Sequence, residues 1–247
     1  MKQLVVDQLP PVGEEISLQD DQRHYLFSVR RASPGDEIVC IDEAGHRGIA
    51  VVTAELNLRC RSGDAGPPSS SHGPTVTFYV ALLKGKKMDT VVRQLTELGV
   101  TRIVPAHTRH CVSRPGEREL ERKITRWQDI AREATQQSGR RDVPQVLSAV
   151  DLTQGAPKIA GADRTGFVFH ETAGSLGVPK PVASEVLGFV GPEGGLAAEE
   201  VNSLVTAGWH PVRMPFPVLR AETAAVAAAT LVQYLGSEYT ADSTNQR

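Results

Sequence analysis

The stretch "GFVGPEGGLAAEEV", Gly188 to Val201, decides the reading of the larger part of this 247-residue chain. Apolar residues run into Gly191-Pro192-Glu193-Gly194-Gly195 and helix formers follow at once, so a strand passes through a tight turn into a helix. In an open parallel α/β sheet, ligands lie beyond the carboxyl ends of the strands, which is where such a turn sits. The turn matches neither the lysine-bearing triphosphate loop G-x-x-x-x-G-K-[ST] nor the dinucleotide loop G-x-G-x-x-G. Glu193, Glu199 and Glu200 would repel an anion, whereas a neutral or cationic ligand is tolerated. Glycines let backbone groups approach a flat ring closely, since no Cβ intervenes. A plain strand-to-helix turn, with Glu199 and Glu200 complementing the helix dipole, is the alternative.

Outward from this turn the pattern alternates. "TVTFYVALL" from Thr75 reads as a buried strand, and Met88, Val91, Val92, Leu95 and Leu98 repeat at helical spacing until Gly99. "RIVPAH" is the next strand, and Leu120, Ile124, Trp127, Ala131 and Ala134 form the apolar stripe of a long helix. Further strands are predicted at Gly166–His170 and Val186–Val190, a helix around Ala198–Ala207, a short run at Pro211–Met214 and a last helix from about Glu222 to Leu235. Alternating strands and helices predict an α/β fold, a parallel sheet covered on both faces.

Upstream, "RSGDAGPPSSSHGPT", Arg61 to Thr75, is dense in Gly, Pro and Ser and reads as a linker. It divides the chain into residues 1–73, a small domain with its linker, and 74–247. The small domain carries a helix with Asp20 and Asp21 in its first turn and Arg30 and Arg31 in its last, then a hairpin that turns at Glu43–His46. It is predicted to be mostly β with at least one helix, in the manner of a small barrel.

A second stretch bears on the turn: "RMPFPVLRAETAAVAAATLVQYLG", Arg213 to Gly236. Pro215 and Pro217 preclude a regular helix and favour an extended approach to Leu219. Arg220 stands just before a helix N-terminus, where its charge opposes the dipole, and residues placed against local preference are often functional.

The formal net charge is −2, but it is unevenly spread: residues 84–141 hold 14 Lys/Arg against 7 Asp/Glu, while 1–73 hold 7 against 11 and 142–247 hold 6 against 11. The basic middle is either a solvated face or a phosphate-binding surface. Met1 to Asp20 has no continuous apolar run, and no stretch is long and apolar enough to span a membrane. Cys40, Cys60 and Cys111 form no C-x-x-C pair, which fits isolated thiols in a reducing cytoplasm. "HTRHC", His107 to Cys111, groups three donor side chains without the fourth that a structural zinc needs, so no metal is expected.

Four ordered motifs, "KGKKMDTVVRQLTELGVTRIVPAHTRHCV", "RWQDIAREATQQSGRRDVPQV", "GFVGPEGGLAAEEV" and "LRAETAAVAA", together resemble the bacterial 16S ribosomal RNA uridine N3-methyltransferases, the RsmE family of the SPOUT superfamily. "HYLFSVRRASPGDEI" is similar to that family's N-terminal PUA-like RNA-binding barrel. The resemblance implies a C-terminal SPOUT-type parallel sheet with a deep trefoil knot, S-adenosylmethionine as cofactor, 16S ribosomal RNA of the small subunit as partner, and a homodimer. It places cofactor contacts at Phe169, His170, Gly191, Gly194, Gly195, Leu196, Met214, Phe216, Val218 and Leu219. The chain departs from the family pattern at Pro215 and Pro217, which lack amide donors, and at Ala197, where a polar helix cap is usual.

Methylation at uracil N3 needs an in-line approach, and a donor that stabilises charge developing on O2 or O4 would assist it. Arg220 has the charge and planarity for that role, and Glu193 is a candidate proton acceptor, with solvent the alternative. His24, Arg30, Arg31, Lys84, Lys87 and Arg140 are candidate phosphate contacts. Competing functions are a non-catalytic RNA-binding or ribosome-assembly factor and a ribose 2′-O-methyltransferase of the same superfamily.

Overall fold

In the computed structural model, the described residues are 2–42, 44–63, 74–159, 161, 163–171 and 183–244, with side chains described to 234. Most of the Arg61–Thr75 linker and Glu43 of the hairpin turn lie outside them. The chain forms two compact units, one of residues 1–70 with 132–143 and one of 71–131 with 144–247.

In the first unit, β1 (Lys2–Val5), β2 (Glu15–Ile16), β3 (Glu37–Ile41), β4 (Arg47–Val52) and β5 (Leu58–Gly63) form one sheet in the order β1-β3-β4-β5-β2. The hairpin read from the sequence is the antiparallel pair β3–β4, whose inward residues Ile38, Cys40, Ala50 and Val52 close on Leu4, Leu26 and Leu58. The predicted helix is shorter than expected. One α-turn, α1 (Asp20–Arg23), continues as a π-helical turn over His24–Val29, Arg30 closes it, and Arg31 lies beyond it at φ 49°. Within this unit Gln3 Nε2 donates to the carbonyls of Thr135 and Arg140, and Gln136 accepts from Val5 N, so residues after 131 join it by hydrogen bonds rather than by apolar pattern.

The second unit contains β6 (Thr75–Ala81), α2 (Lys87–Glu97), β7 (Arg102–His107), most of α3 (Glu117–Ser138), β8 (Gln145–Val146), β9 (Val150–Asp151), β10 (Arg164–Phe169), β11 (Glu185–Val190), α4 (Ala198–Thr206), β12 (Trp209–Val212) and α5 (Ala221–Thr244). The strands pair in parallel in the order β12-β10-β11-β6-β7-β8, with β9 also on β7. Alternation along β6 sorts the two faces: Val76, Phe78 and Val80 pack with α2, α5 and Trp127, while Tyr79 joins Phe189, Leu204 and Trp209 on the other side. Tyr79 and Phe189 stack at 5.8 Å, and Trp209 meets both edge-on, its indole N–H donating to the Pro157 carbonyl at 2.7 Å. Gly188 is required by the opposite face, because a Cβ there would fall 2.3 Å from the Phe78 ring that its strand partner supplies.

The expected α/β sheet covered on both faces is therefore present. Its strand order makes the chain cross from β9, beside β7, to β10 and later pass β10 to reach the edge at β12, after which α5 returns to pack on β11, β6 and α2. Among the described residues no helix is long and apolar enough to cross a membrane, and no three His, Cys, Asp or Glu side chains are grouped as metal donors. All three cysteines are buried and free, and burial pushes the Cys40 thiol up to about 12.

Candidate active site

The carboxyl ends of β10, β11 and β12 lead into a cavity of about 960 Å³. Its walls are three successive loops: Phe169 to Glu171 after β10, Val190 to Leu196 after β11, and Arg213 to Ala221 after β12, with Ala224 of α5 beneath. All ten residues expected around a cofactor line it, as do Glu193 and Arg220. Glu171, Arg213 and Ala221 were not singled out from the sequence, although each is a chain neighbour of one that was.

The glycine turn owes its shape to local chemistry. Gly195 N donates to the Pro192 carbonyl at 2.9 Å and Gly195 takes φ +71°, a conformation that L side chains rarely adopt. From β7's side the ring of His110 donates through Nδ1 to the Gly194 and Gly195 carbonyls at 3.1 and 3.2 Å. Cys111 is instead buried against Thr108 Oγ1 and the Ala106 carbonyl, so "HTRHC" braces the turn.

The two adjacent glutamates of α4 differ. Glu199 is exposed and lies 3.4 Å from the Arg109 guanidinium. Glu200 is buried, and its carboxylate accepts from Ala197 N at 2.9 Å and from Arg109 N at 2.8 Å. The Ala197 contact is the half of a capping box that needs no polar side chain at 197, and alanine makes no side-chain cap bond of its own.

No lysine lies within the turn, yet one reaches it. Lys87, at the start of α2, places Nζ 2.9 Å from Glu193 Oε1 and 3.3 Å from Glu222 Oε2 in the first turn of α5. Burial alone would raise the Glu193 carboxyl. The Lys87 ammonium, with backbone hydrogen bonds at Glu193 and Lys84, outweighs it and holds the group below the usual glutamate range. Glu193 is thereby a weak proton acceptor.

Arg220 is exposed on the cavity wall, and among the described residues its guanidinium has no ion pair or hydrogen bond. Residues 215–217 bend here instead of running extended. Among the candidate phosphate contacts, His24, Arg30, Arg31 and Lys84 are exposed. Arg140 is held by both carboxylate oxygens of Asp142, at 2.7 and 3.2 Å, with 9% of its side chain exposed. Lys87 is committed to its two carboxylates. Part of the basic surplus on α3 is likewise neutralised: Arg126 pairs with Asp89 at 2.5 Å, and Asp89 also accepts from Trp127 Nε1 at 3.2 Å.

The cavity suits a ligand with a neutral ring system and a cationic centre. Its walls are mostly apolar side chains and backbone from the glycine turn, and its built-in carboxylate is ionised. The RNA methyltransferase domain family model matches residues 71–233, and the RNA methyltransferase PUA domain model matches 18–57. Ribosomal RNA small subunit methyltransferase E of Mycobacterium bovis is 30% identical over 249 residues, covering 97% of this chain and 94% of that one. The chain is a member of the ribosomal RNA small subunit methyltransferase E family. The Synechocystis family member is also 30% identical, covering 94% of this chain and 77% of its own. The crystal structure of the Neisseria gonorrhoeae methyltransferase E bound to S-adenosyl methionine superposes with a TM-score of 0.81 at 26% identity, covering 95% and 98% of the two chains. In this family member, the small sheet unit is thus the PUA-like part and the parallel sheet is the SPOUT-type methyltransferase part.

Proposed function

We propose that this methyltransferase uses S-adenosylmethionine to methylate N3 of a uridine in 16S ribosomal RNA. The observation that carries the reading is the cavity where the glycine turn and the segment Arg213–Ala221 meet, in a fold shared with a relative solved with that cofactor. The donor set fits: Gly191 to Leu196 offer backbone groups without side-chain obstruction, Phe169 and Met214 offer apolar contact, and the ionised Glu193 tolerates a positive sulfur. When bound, the cofactor would supply an electrophilic methyl group on cationic sulfur, in exchange for the proton that uracil N3 gives up.

Arg220 is the residue to stabilise negative charge on a uracil oxygen, since it faces the cavity with its guanidinium uncommitted among the described residues. Solvent accepts the proton in this reading, because Glu193 is already engaged with Lys87. Exposed His24, Arg30 and Arg31 on the first unit and Lys84 on the second are retained as phosphate contacts. Lys87 and Arg140 are assigned structural roles instead.

The knot is part of the proposal. It is supported by the return of α5 from the edge strand β12 to β11 and β6. Dimerisation is supported by Phe216 and Val218, apolar residues 49% and 81% exposed at the cavity wall.

Titration calorimetry with S-adenosylmethionine tests the cofactor assignment. Mass spectrometry of digested small-subunit RNA, from cells with and without the protein, tests the product. Loss of one N3-methyluridine is expected. Loss of a 2′-O-methyl nucleotide, or no loss of any methylation, overturns the assignment.

A further inference from the structure

Lys87 is a poorly placed cation by the standards of its own helix. It is the first residue of α2, where the exposed amide ends repel positive charge, and the acidic residue of that turn, Asp89, is taken by Arg126 and Trp127. What surrounds its ammonium comes from far along the chain. Glu193 belongs to the glycine turn after β11, and Glu222 to the opening turn of α5. Lys87 itself does not line the cavity, but Glu193 does, and so do Arg220 and Ala221, the two residues that precede Glu222. One ammonium therefore fastens two of the cavity's three walls from outside.

We propose that Lys87 is a positioning residue of the cofactor site, fixing the spacing between the glycine turn and the start of α5 through its paired contacts to Glu193 and Glu222. This rests on the reading of the cavity as the S-adenosylmethionine site. Glu222 Oε2 is buried and makes no hydrogen bond of its own, so the ammonium 3.3 Å away is what offsets its charge. Without Lys87 the two carboxylates face each other across the gap, and the walls that carry them separate. The hydrogen bond to Glu193, reinforced by the ion pair with Glu222, holds the ammonium above the usual lysine range, so the tie persists throughout the physiological pH range. The competing role for Lys87 is a phosphate contact, which would act on RNA and leave cofactor affinity alone.

The test is calorimetric titration of S-adenosylmethionine into the full chain without RNA, alongside salt-dependent RNA binding. Thermal unfolding confirms that each variant is folded at the assay temperature. Lys87→Met is expected to weaken cofactor binding about tenfold, since it strands two carboxylates beside the site. Lys87→Arg should restore it to within about twofold, because a guanidinium can span both acids. In a Glu193→Gln/Glu222→Gln background, Lys87→Met should have no further effect, the signature of a residue acting through those two side chains. If Lys87→Met does not fold, Glu222→Gln alone carries the question and should weaken cofactor binding several-fold. Wild-type cofactor affinity in a folded Lys87→Met or Glu222→Gln protein overturns the proposal, and a lower salt slope for RNA in Lys87→Met would then make Lys87 a phosphate contact. Failure of the wild-type chain to bind S-adenosylmethionine overturns the site assignment itself, a separable result.

Discussion

Glu199 and Glu200 are neighbours at the start of α4, and a helix-dipole account alone gives each about 0.3–1 kcal/mol. The structure separates them. Glu200 is 6% exposed, and its two carboxylate oxygens accept from different segments, Ala197 N at 2.9 Å and Arg109 N at 2.8 Å. Hydrogen bonds to a charged acceptor contribute about 1.5–3 kcal/mol each. The Arg109 amide belongs to an exposed residue and can recover water, so the lower end of that range applies. Glu200→Ala should therefore cost about 3 kcal/mol, lowering the melting temperature by about 6–12 °C for a chain of this size. Glu199 is 75% exposed and touches only the Arg109 guanidinium, so Glu199→Ala should cost less than about 0.5 kcal/mol. Urea unfolding followed by tryptophan fluorescence measures both variants, and it reports on the right part of the molecule because Trp127 and Trp209 both belong to the second unit. Equal small losses in the two variants would refute the reasoning and leave Glu200 only the dipole role of the alternative reading of the turn.

The remaining predictions concern the cavity. Arg220→Ala should lower kcat by about 10²–10³ while leaving S-adenosylmethionine affinity within about twofold, as removal of a donor to a developing oxyanion does; undiminished turnover on small-subunit RNA removes Arg220 from the chemistry. Gly195→Ala imposes φ +71° on an alanine and should cost about 1–2 kcal/mol by urea unfolding, with Gly195→Asn losing less because asparagine tolerates that region. Glu193 lies below its ordinary 4.5 and Lys87 above its ordinary 10.5. The clamp's stabilisation is accordingly present above pH 4.5, is lost as pH falls through the lower folded value of Glu193, and at the other end is lost only as pH rises past the raised value of Lys87. Stability and cofactor affinity measured in Glu193→Gln and wild type should then differ by a constant amount between pH 5.5 and 9.5; a gap that changes within that window places the titration elsewhere.

How far the sequence could be read depended on how far apart the interacting residues lie. Periodicity located β6, α2, β7 and α3 to within a few residues, because each carries its own buried stripe, as Val91, Val92 and Leu95 do against the sheet. The glycine turn, which lines the cavity, was legible as a turn at a strand's carboxyl end because backbone conformation is written in a handful of adjacent residues. Three features were not. The two-residue strands β8 and β9 are too short to show a period. The π-helical turn after α1 conserves helical spacing for one turn only, so it reads as ordinary helix. The partner of Glu193 lies 106 residues earlier in the chain, and only the sheet order, which sets β6 beside β11, brings the α2 start to the glycine turn.

That last omission changes the electrostatic argument without reversing it. The mismatch to a lysine-bearing loop and the acids Glu193, Glu199 and Glu200 point to a cationic or neutral ligand, and Lys87 now stands beside one of those acids. Its ammonium is shared between two carboxylates, so the cluster keeps one negative charge in excess beside the cavity. A triphosphate loop works in the opposite sense, its lysine left unpaired by protein so that the ligand neutralises it. Here the protein neutralises the lysine, and the clamp's excess acid together with Glu171 balances Arg213 and Arg220 on the cavity wall, so the site presents no net cation to repel a sulfonium centre. In the mechanism proposed above, Arg220 answers the negative charge that appears only during reaction, a role open to it because, among the described residues, its guanidinium has no partner while the Lys87 ammonium already has two.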